Sequence, residues 1–216
     1  VIGNSAEVRK STAVSKTIDF IKEAFPDHFH LCFGVGSAEG LQKTLNRKNP
    51  LLIFFDEFKQ FVGKCRIDSS ILLPCVNTLF ESNRYESQTS KASIELDDCY
   101  LSFIACTTKA TFESMWTSSF TDIGFNNRLF LVPGTGERKY SLPQTIPEEA
   151  KNKTIESLKN VVDSCNSRLD ITEEAKKLYD EWYFKMENSV HSLRLETYSQ
   201  RLMPLLAVNE SKSVLD

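Results

Sequence analysis

The chain has 216 residues, 41% of them hydrophobic and 25% charged, with a net charge of -3. That balance excludes a disordered or fibrous chain and a uniformly basic nucleic-acid coat, and it leaves room for one α/β domain plus a helical appendage. No apolar run is long enough to span a bilayer and no signal-peptide pattern opens the chain, so a cytoplasmic setting without a membrane partner is expected. The six cysteines (Cys32, Cys65, Cys75, Cys99, Cys106 and Cys165) form no C-x-x-C pair, and His28, His30 and His191 have no zinc-ligand spacing, which favours free thiols in a reducing compartment.

The first stretch, "VIGNSAEVRKSTAVS", poses the question of a phosphate-binding loop. Such a loop reads G-x-x-x-x-G-K-[ST]: glycines bare the backbone N–H groups, the lysine meets the β- and γ-phosphates, and the hydroxyl meets magnesium. Lys10, Ser11 and Thr12 supply the lysine and the hydroxyls. Arg9 stands where the second glycine belongs and Asn4 where the first does, while Gly3 lies one place too early. At most two residues of strand precede the loop, so the chain reads as a piece of a longer protein whose first strand is largely missing.

From Ser11 the residues Val14, Ile18, Ile21 and Phe25 recur at helical spacing until Pro26 ends the run. A short strand, "HLCFGV", follows, then a helix with Ser37 as N-cap and Leu41 and Leu45 facing inward. "LLIFF" reads as a strand buried on both faces, ending in Asp56-Glu57. Residues 71–82 read as a helix with Pro74 near its first turn. The alternation from Asn83 onward predicts a hairpin whose second strand, 100–106, enters the core, and a short helix follows near 110–118. "NNRLFLVPG" predicts a further strand, closed by Pro133-Gly134. These elements divide the chain into an α/β core over 1–134, a linker over 135–147 and an all-helical part over 148–216 in which Leu178, Trp182 and Met186 face inward.

Three further constellations carry chemistry. A carboxylate at the end of a buried strand suits magnesium, and a glutamate after it can polarise an attacking water, as Asp56 and Glu57 would; the plainer reading is an acidic pair that caps the next helix. "FIACTTKAT" delivers Thr107 and Thr108 to a strand end, where they would touch a γ-phosphate or merely cap a helix. Arg128 opens a strand, as an arginine acting across subunits on a transferred phosphoryl group would, or as an ion-pair partner. Arg84 and Lys91 flank the hairpin tip and could track the phosphates of single- or double-stranded DNA. A competing pattern, "GVGSAEG", places Gly34, Gly36 and Gly40 between a strand and a helix with Asp56 at the end of the next strand, the arrangement of a dinucleotide-binding enzyme.

Taken together, "GNSAEVRKSTAV", "SAEGLQKTL", "LLIFFDEF", "LSFIACTT", "GFNNRLFLVPG" and "RLETYSQRLMPLLAV", in that order, resemble a large, little-characterised family of bacterial, phage and plasmid P-loop ATPases associated with helicases or primases. The resemblance implies a mainly parallel sheet sandwiched by helices, ATP and Mg2+ as cofactors, and a hydrolytic motor of a mobile-element replication protein. By it Lys10 would bind the β- and γ-phosphates, Ser11 and Asp56 the magnesium, Glu57 would be the catalytic base, Thr107 or Thr108 a γ-phosphate sensor, and Arg128 a finger or sensor arginine. It further implies a ring of identical subunits, contact with DNA and a primase or other replication domain preceding this segment. Arg9 departs from the family's loop and could pair with a phosphate itself. A non-hydrolysing module that keeps the fold as a nucleotide-responsive scaffold is the alternative.

Overall fold

The computed structural model describes residues 1–4, 9–88, 93–115, 120, 124–134, 141–142, 144–164, 168–187 and 194–216. They form two compact units, Val1–Ser141 and Leu142–Asp216. The first is a mixed α/β unit in the order β1 (Ile2–Gly3), α1 (Lys10–Ala24), β2 (His30–Cys32), α2 (Ala38–Arg47), β3 (Leu51–Phe55), α3 (Phe58–Cys65), α4 (Leu72–Glu81), β4 (Tyr85–Gln88), β5 (Ser93–Leu96), β6 (Leu101–Ala105), β7 (Thr107–Thr108) and α5 (Lys109–Met115), then a single 3-10 turn at Asn126–Arg128.

Strands β2, β3 and β6 form a parallel ladder in that order, Ile53 lying between Cys32 and Phe103. Beyond Cys106 the β6 backbone continues as β7, which pairs in parallel with β1. The Val1 nitrogen donates to the Ala105 carbonyl at 2.6 Å and the Thr107 N–H to the Val1 carbonyl at 3.0 Å, so the two ladders meet edge to edge. On the outer side of β1, Ile2 bridges Pro133 and donates to the Val132 carbonyl at 2.9 Å. Read across, the order is 132–133, β1, β6–β7, β3, β2. Helix α1 carries the chain from β1 to the far edge, and every later connection steps back toward β1 and past it. The chain therefore changes direction between β1 and β7, and the crevice beyond their carboxyl ends is where open α/β sheets bind ligands.

Apolar alternation along the strands explains the layers. Phe54 and Leu52 face α1, where Ile18 and Cys106 close a small cluster, while Leu51, Ile53 and Phe55 face the main core built with α2, α3, α4 and α5. In that core Phe55, Phe58, Phe61, Phe103, Phe120 and Phe125 form a web of ring contacts, and Phe61 is fully buried. Burying each such ring stabilises by about 1.5–3 kcal/mol, which makes this web the main anchor of the β3–α3 junction.

Several sequence expectations are corrected. The hairpin closes within β4 and β5, antiparallel and paired from Tyr85–Leu96 to Gln88–Ser93, and 101–105 is a separate parallel strand. Phe103 packs against the main core and Ile104 against the smaller cluster, so both faces of the strand are partly covered, which fits a central position better than a hairpin arm. Helix α3 was not expected, because its short "FKQFVGKC" follows an acidic pair and carries a glycine. Arg128 sits in the 3-10 turn rather than at a strand start, and after it only the Pro133 bridge pairs with β1.

The second unit holds α6 (Glu148–Ser164), β8 (Asp170–Ile171), α7 (Glu173–Lys185), α8 (Leu195–Asn209) and β9 (Val214–Leu215), with β8 and β9 pairing in parallel. The all-helical expectation thus misses a two-residue ladder. Gln200 Nε2 donates to the Tyr179 hydroxyl at 3.3 Å, tying α8 to α7. The expected inward stripe of α7 is not a core: Leu178 is 62% and Trp182 40% exposed, and Met186 is half-buried. Among the described residues of this unit only Ala207 and Val208 are buried, so spacing identified a face without supplying a partner for it. No helix among the described residues is long and apolar enough to cross a membrane.

Candidate nucleotide site

Helix α1 follows β1 in the chain, and residues 5–8 between them lie outside the described part. Arg9 is its N-cap residue, with φ 45 and ψ 40, a left-handed conformation, and its side chain makes no cap hydrogen bond. This is the position that a phosphate loop gives to glycine, and here the backbone takes the glycine conformation with an arginine in place. The first intrahelical bond runs from Ala13 N–H to the Arg9 carbonyl at 3.0 Å, and the first turn carries no acidic residue. Among the described residues the start of α1 therefore has no side-chain cap, and its first turn has no carboxylate to offset the positive end of the helix dipole, which suits an anion.

Lys10 is half-buried and its Nζ donates to the Asn4 carbonyl at 3.0 Å, so lysine and loop start lie together. Ser11 is half-buried and Thr12 is exposed.

The two acids follow directly on β3. Phe55 and Phe58 are buried on either side of them, and Asp56 and Glu57 are exposed at the rim. Cys106 clamps this corner with its backbone, donating from its N–H to the Phe55 carbonyl at 3.0 Å and accepting from Phe58 N–H at 2.8 Å. Glu57 is the N-cap residue of α3, yet its carboxylate makes no cap hydrogen bond. The plain capping explanation of the acidic pair thus lacks its bond. Burial pushes the Cys106 thiol above its ordinary value; the Val1 ammonium opposes the rise most, Asp56 adds to it, and Ser11 and Lys10 oppose it further. The sequence offered Cys106 only as another apolar thiol; its place at the end of a buried strand, just before Thr107, was the available signal.

The threonines divide. Thr108 Oγ1 accepts from Thr111 N–H at 3.1 Å and pairs with the Thr111 hydroxyl at 2.8 Å, which makes it the cap of α5. Thr107 is buried, pairs with β1 through its backbone, and its hydroxyl makes a long 3.4 Å bond to the Thr108 carbonyl. Arg128 is held within its own unit: its guanidinium meets Glu81 at 2.8 Å and 3.1 Å, donates to the Gly124 carbonyl at 2.8 Å, and lies over the Phe80 ring. Arg84 forms an exposed pair with Asp97 at 3.1 Å, and Lys91 lies outside the described residues.

The glycine pattern after β2 is built differently. Gly34 has φ 91 and sits against Phe55, where a Cβ would come to 3.4 Å of the ring, and Ser37 Oγ accepts from Gly40 N–H at 3.1 Å. The cavity bordered by Gly34, Gly36 and Gly40 holds only about 160 Å³. That is below the roughly 300 Å³ at which ligand pockets begin.

As for a metal, the Ser11 hydroxyl and the Asp56 carboxylate are hard oxygen donors of the kind magnesium accepts beside phosphate oxygens. Among the described residues no cluster of three or more His, Cys, Asp or Glu could hold an ion by itself. The donor set fits magnesium delivered with a phosphate chain, as such sites ordinarily are. No protein-family model matches the chain, and no curated protein matches it.

Proposed function

We propose that the first unit binds a nucleoside triphosphate with magnesium and hydrolyses it, and that it is the motor domain of a replication protein of the helicase or helicase-primase type. One observation carries the nucleotide reading: the Lys10 ammonium, tied to the end of β1 through the Asn4 carbonyl, and the Asp56–Glu57 corner, tied to Cys106 through the backbone bonds of Phe55 and Phe58, both lie at the carboxyl edge of the sheet, beside the reversal between β1 and β7. The parallel order that places β1 between 132–133 and β6–β7 supports a P-loop sandwich, because it puts the anion-binding turn next to the strand ends that bear polar groups.

In this reading the uncapped N–H groups of α1 and the Lys10 ammonium hold the β- and γ-phosphates, with Lys10 leaving the Asn4 carbonyl as it does so. Ser11 and Asp56 would hold the magnesium, which supplies charge neutralisation on the phosphate oxygens. Glu57, with its carboxylate uncommitted to a cap and its backbone fixed by Phe58 and Cys106, orients a water in line with the γ-phosphorus and takes up its proton. Of the two threonines, Thr107 is the one left to serve as γ-phosphate contact, since Thr108 already caps α5. DNA binding and assembly into rings follow from the resemblance alone.

Phosphate release measured with and without single-stranded DNA tests the whole reading. Glu57→Gln should lower turnover by about 10²- to 10⁴-fold and leave ATP binding intact. ATP binding without any magnesium-dependent turnover in the wild type would instead establish the scaffold alternative, which the arginine at the glycine position favours. The dinucleotide reading has the small, internally capped turn at Gly34–Gly40 against it.

A further inference from the structure

An open groove of about 450 Å³ lies beside the loop, bordered by Ile2, Phe112, Leu131 and Pro133, with Lys109 and Glu113 at one side and Gly3 and Asn4 at its rim. Its size falls in the range of small-molecule pockets, and its lining has their usual make-up, apolar walls with a few polar groups. Neither the loop lysine nor the acidic corner uses it. Three elements build it: β1 gives Ile2, α5 gives Phe112, and the segment that bridges β1 gives Leu131 and Pro133. The link to the phosphate site is Asn4, which borders the groove with its residue and accepts the Lys10 ammonium with its carbonyl.

We propose that this groove seats the purine base of the nucleotide, an inference that rests on the triphosphate reading above. A purine has two flat apolar faces and a polar edge, and the groove has the matching parts. Ile2, Phe112, Leu131 and Pro133 take the faces, the aromatic ring contributing stacking, which tolerates either purine. Lys109 and Glu113, 3.9 Å apart on successive turns of α5, put a donor and an acceptor side by side for the edge. The carboxylate accepts from the adenine amino group or the guanine N1–H, and the ammonium donates to adenine N1 or guanine O6. A pyrimidine covers less of the apolar wall, so the groove discriminates by ring size and treats the two purines nearly alike.

Binding of ATP, GTP, CTP, UTP and inorganic tripolyphosphate to the full chain tests this. Wild type should bind both purine nucleotides at least about tenfold more tightly than the pyrimidine ones, and tripolyphosphate in a Lys10-dependent manner. Phe112→Ala and Leu131→Ser should each cost about tenfold in ATP and GTP affinity and leave tripolyphosphate unchanged; Leu131 is 49% exposed, so its variant keeps the fold if Phe112→Ala does not. Equal affinity for all four nucleotides, or unchanged purine binding in Leu131→Ser while tripolyphosphate still binds through Lys10, overturns the base site and spares the phosphate site. If tripolyphosphate and the nucleotides all fail to bind, the parent reading falls and the base site with it.

Discussion

Two strand-to-helix turns in the first unit invite comparison, one after β1 and one after β2. The second has the glycines of a nucleotide motif, and the first lacks them. Yet the glycine-rich turn spends its features on itself: Gly34 takes a positive φ against Phe55, Ser37 caps α2, and Glu39 answers the positive end of that helix. After β1, helix α1 starts with a lysine and a hydroxyl and, among the described residues, no side-chain cap, and the two acids follow β3 on the far side of β6–β7, at the edge where the sheet reverses. An anion site is made by unsatisfied N–H groups at the right point of the topology, and glycine matters only where the backbone needs it.

The sharpest way to break this comparison is a charge removal. Lys10→Ala should weaken binding of ATP or tripolyphosphate by about a hundredfold, the loss of a charge-assisted hydrogen bond, read by titration calorimetry. The ligand-free melting temperature should hardly move, because the bond Lys10 makes among the described residues is to the exposed Asn4 carbonyl. The same substitution at Lys43 on α2, exposed and removed from the acidic corner, should leave binding unchanged.

Next in size is Arg128, which applies the same lesson to an arginine. Its sequence position suggested a group acting across subunits, but its guanidinium is spent on Glu81 and Gly124 with 13% of the side chain exposed. Arg128→Ala should therefore destabilise by about 1 kcal/mol in urea unfolding, since it removes the bonds to the partly exposed Glu81 and to the Gly124 carbonyl. Glu81→Gln, which keeps shape and one hydrogen bond, should cost less than half as much. If Arg128→Ala leaves stability intact and abolishes turnover only in the assembled protein, the clamp is wrong and the finger role stands.

A comparable effect comes from the glycine-rich turn. Ser37→Ala removes the acceptor for Gly40 N–H and should cost about 1 kcal/mol of stability with nucleotide affinity unchanged. Any loss of ATP binding in this variant would shift the site toward α2 and revive the dinucleotide reading.

Much of this was legible in the residues. The period of Val14 and Ile18, the Ser37 cap and the unbroken "LLIFF" run led to α1, α2 and β3, because each is a local signal that the tertiary structure reinforces. The hairpin boundary was not legible: "YLSFIACTT" has the alternation of either a hairpin arm or a central strand, and only its pairing with β3 on one side and β1 on the other decides. Leu178 and Trp182 show the converse limit, a helical stripe that spacing marks as apolar and that the second unit leaves exposed. At the site, Lys10, Ser11, Asp56 and Glu57 could be named from residue type. Cys106 could not, since its role as the junction under them arises from backbone bonds to Phe55 and Phe58 that no spacing encodes.

The smallest expected effect is the most informative about the departure from the usual loop. Arg9 holds a left-handed backbone that costs a side-chain-bearing residue about 1 kcal/mol relative to glycine. Arg9→Gly removes that cost but loosens the unfolded chain, so the net gain in stability should be about 0.5 kcal/mol. Its effect on nucleotide binding separates two roles that one residue combines. If arginine merely tolerates the turn, the glycine variant binds ATP as well as wild type or better, and affinity keeps its salt dependence. If the guanidinium pairs with a phosphate, Arg9→Gly binds about tenfold more weakly and its affinity falls less steeply with salt. Arg9→Ala then completes the measurement: it keeps the strain and loses the charge, so an affinity below that of the glycine variant isolates the backbone term, and equal affinities assign the whole difference to the lost cation.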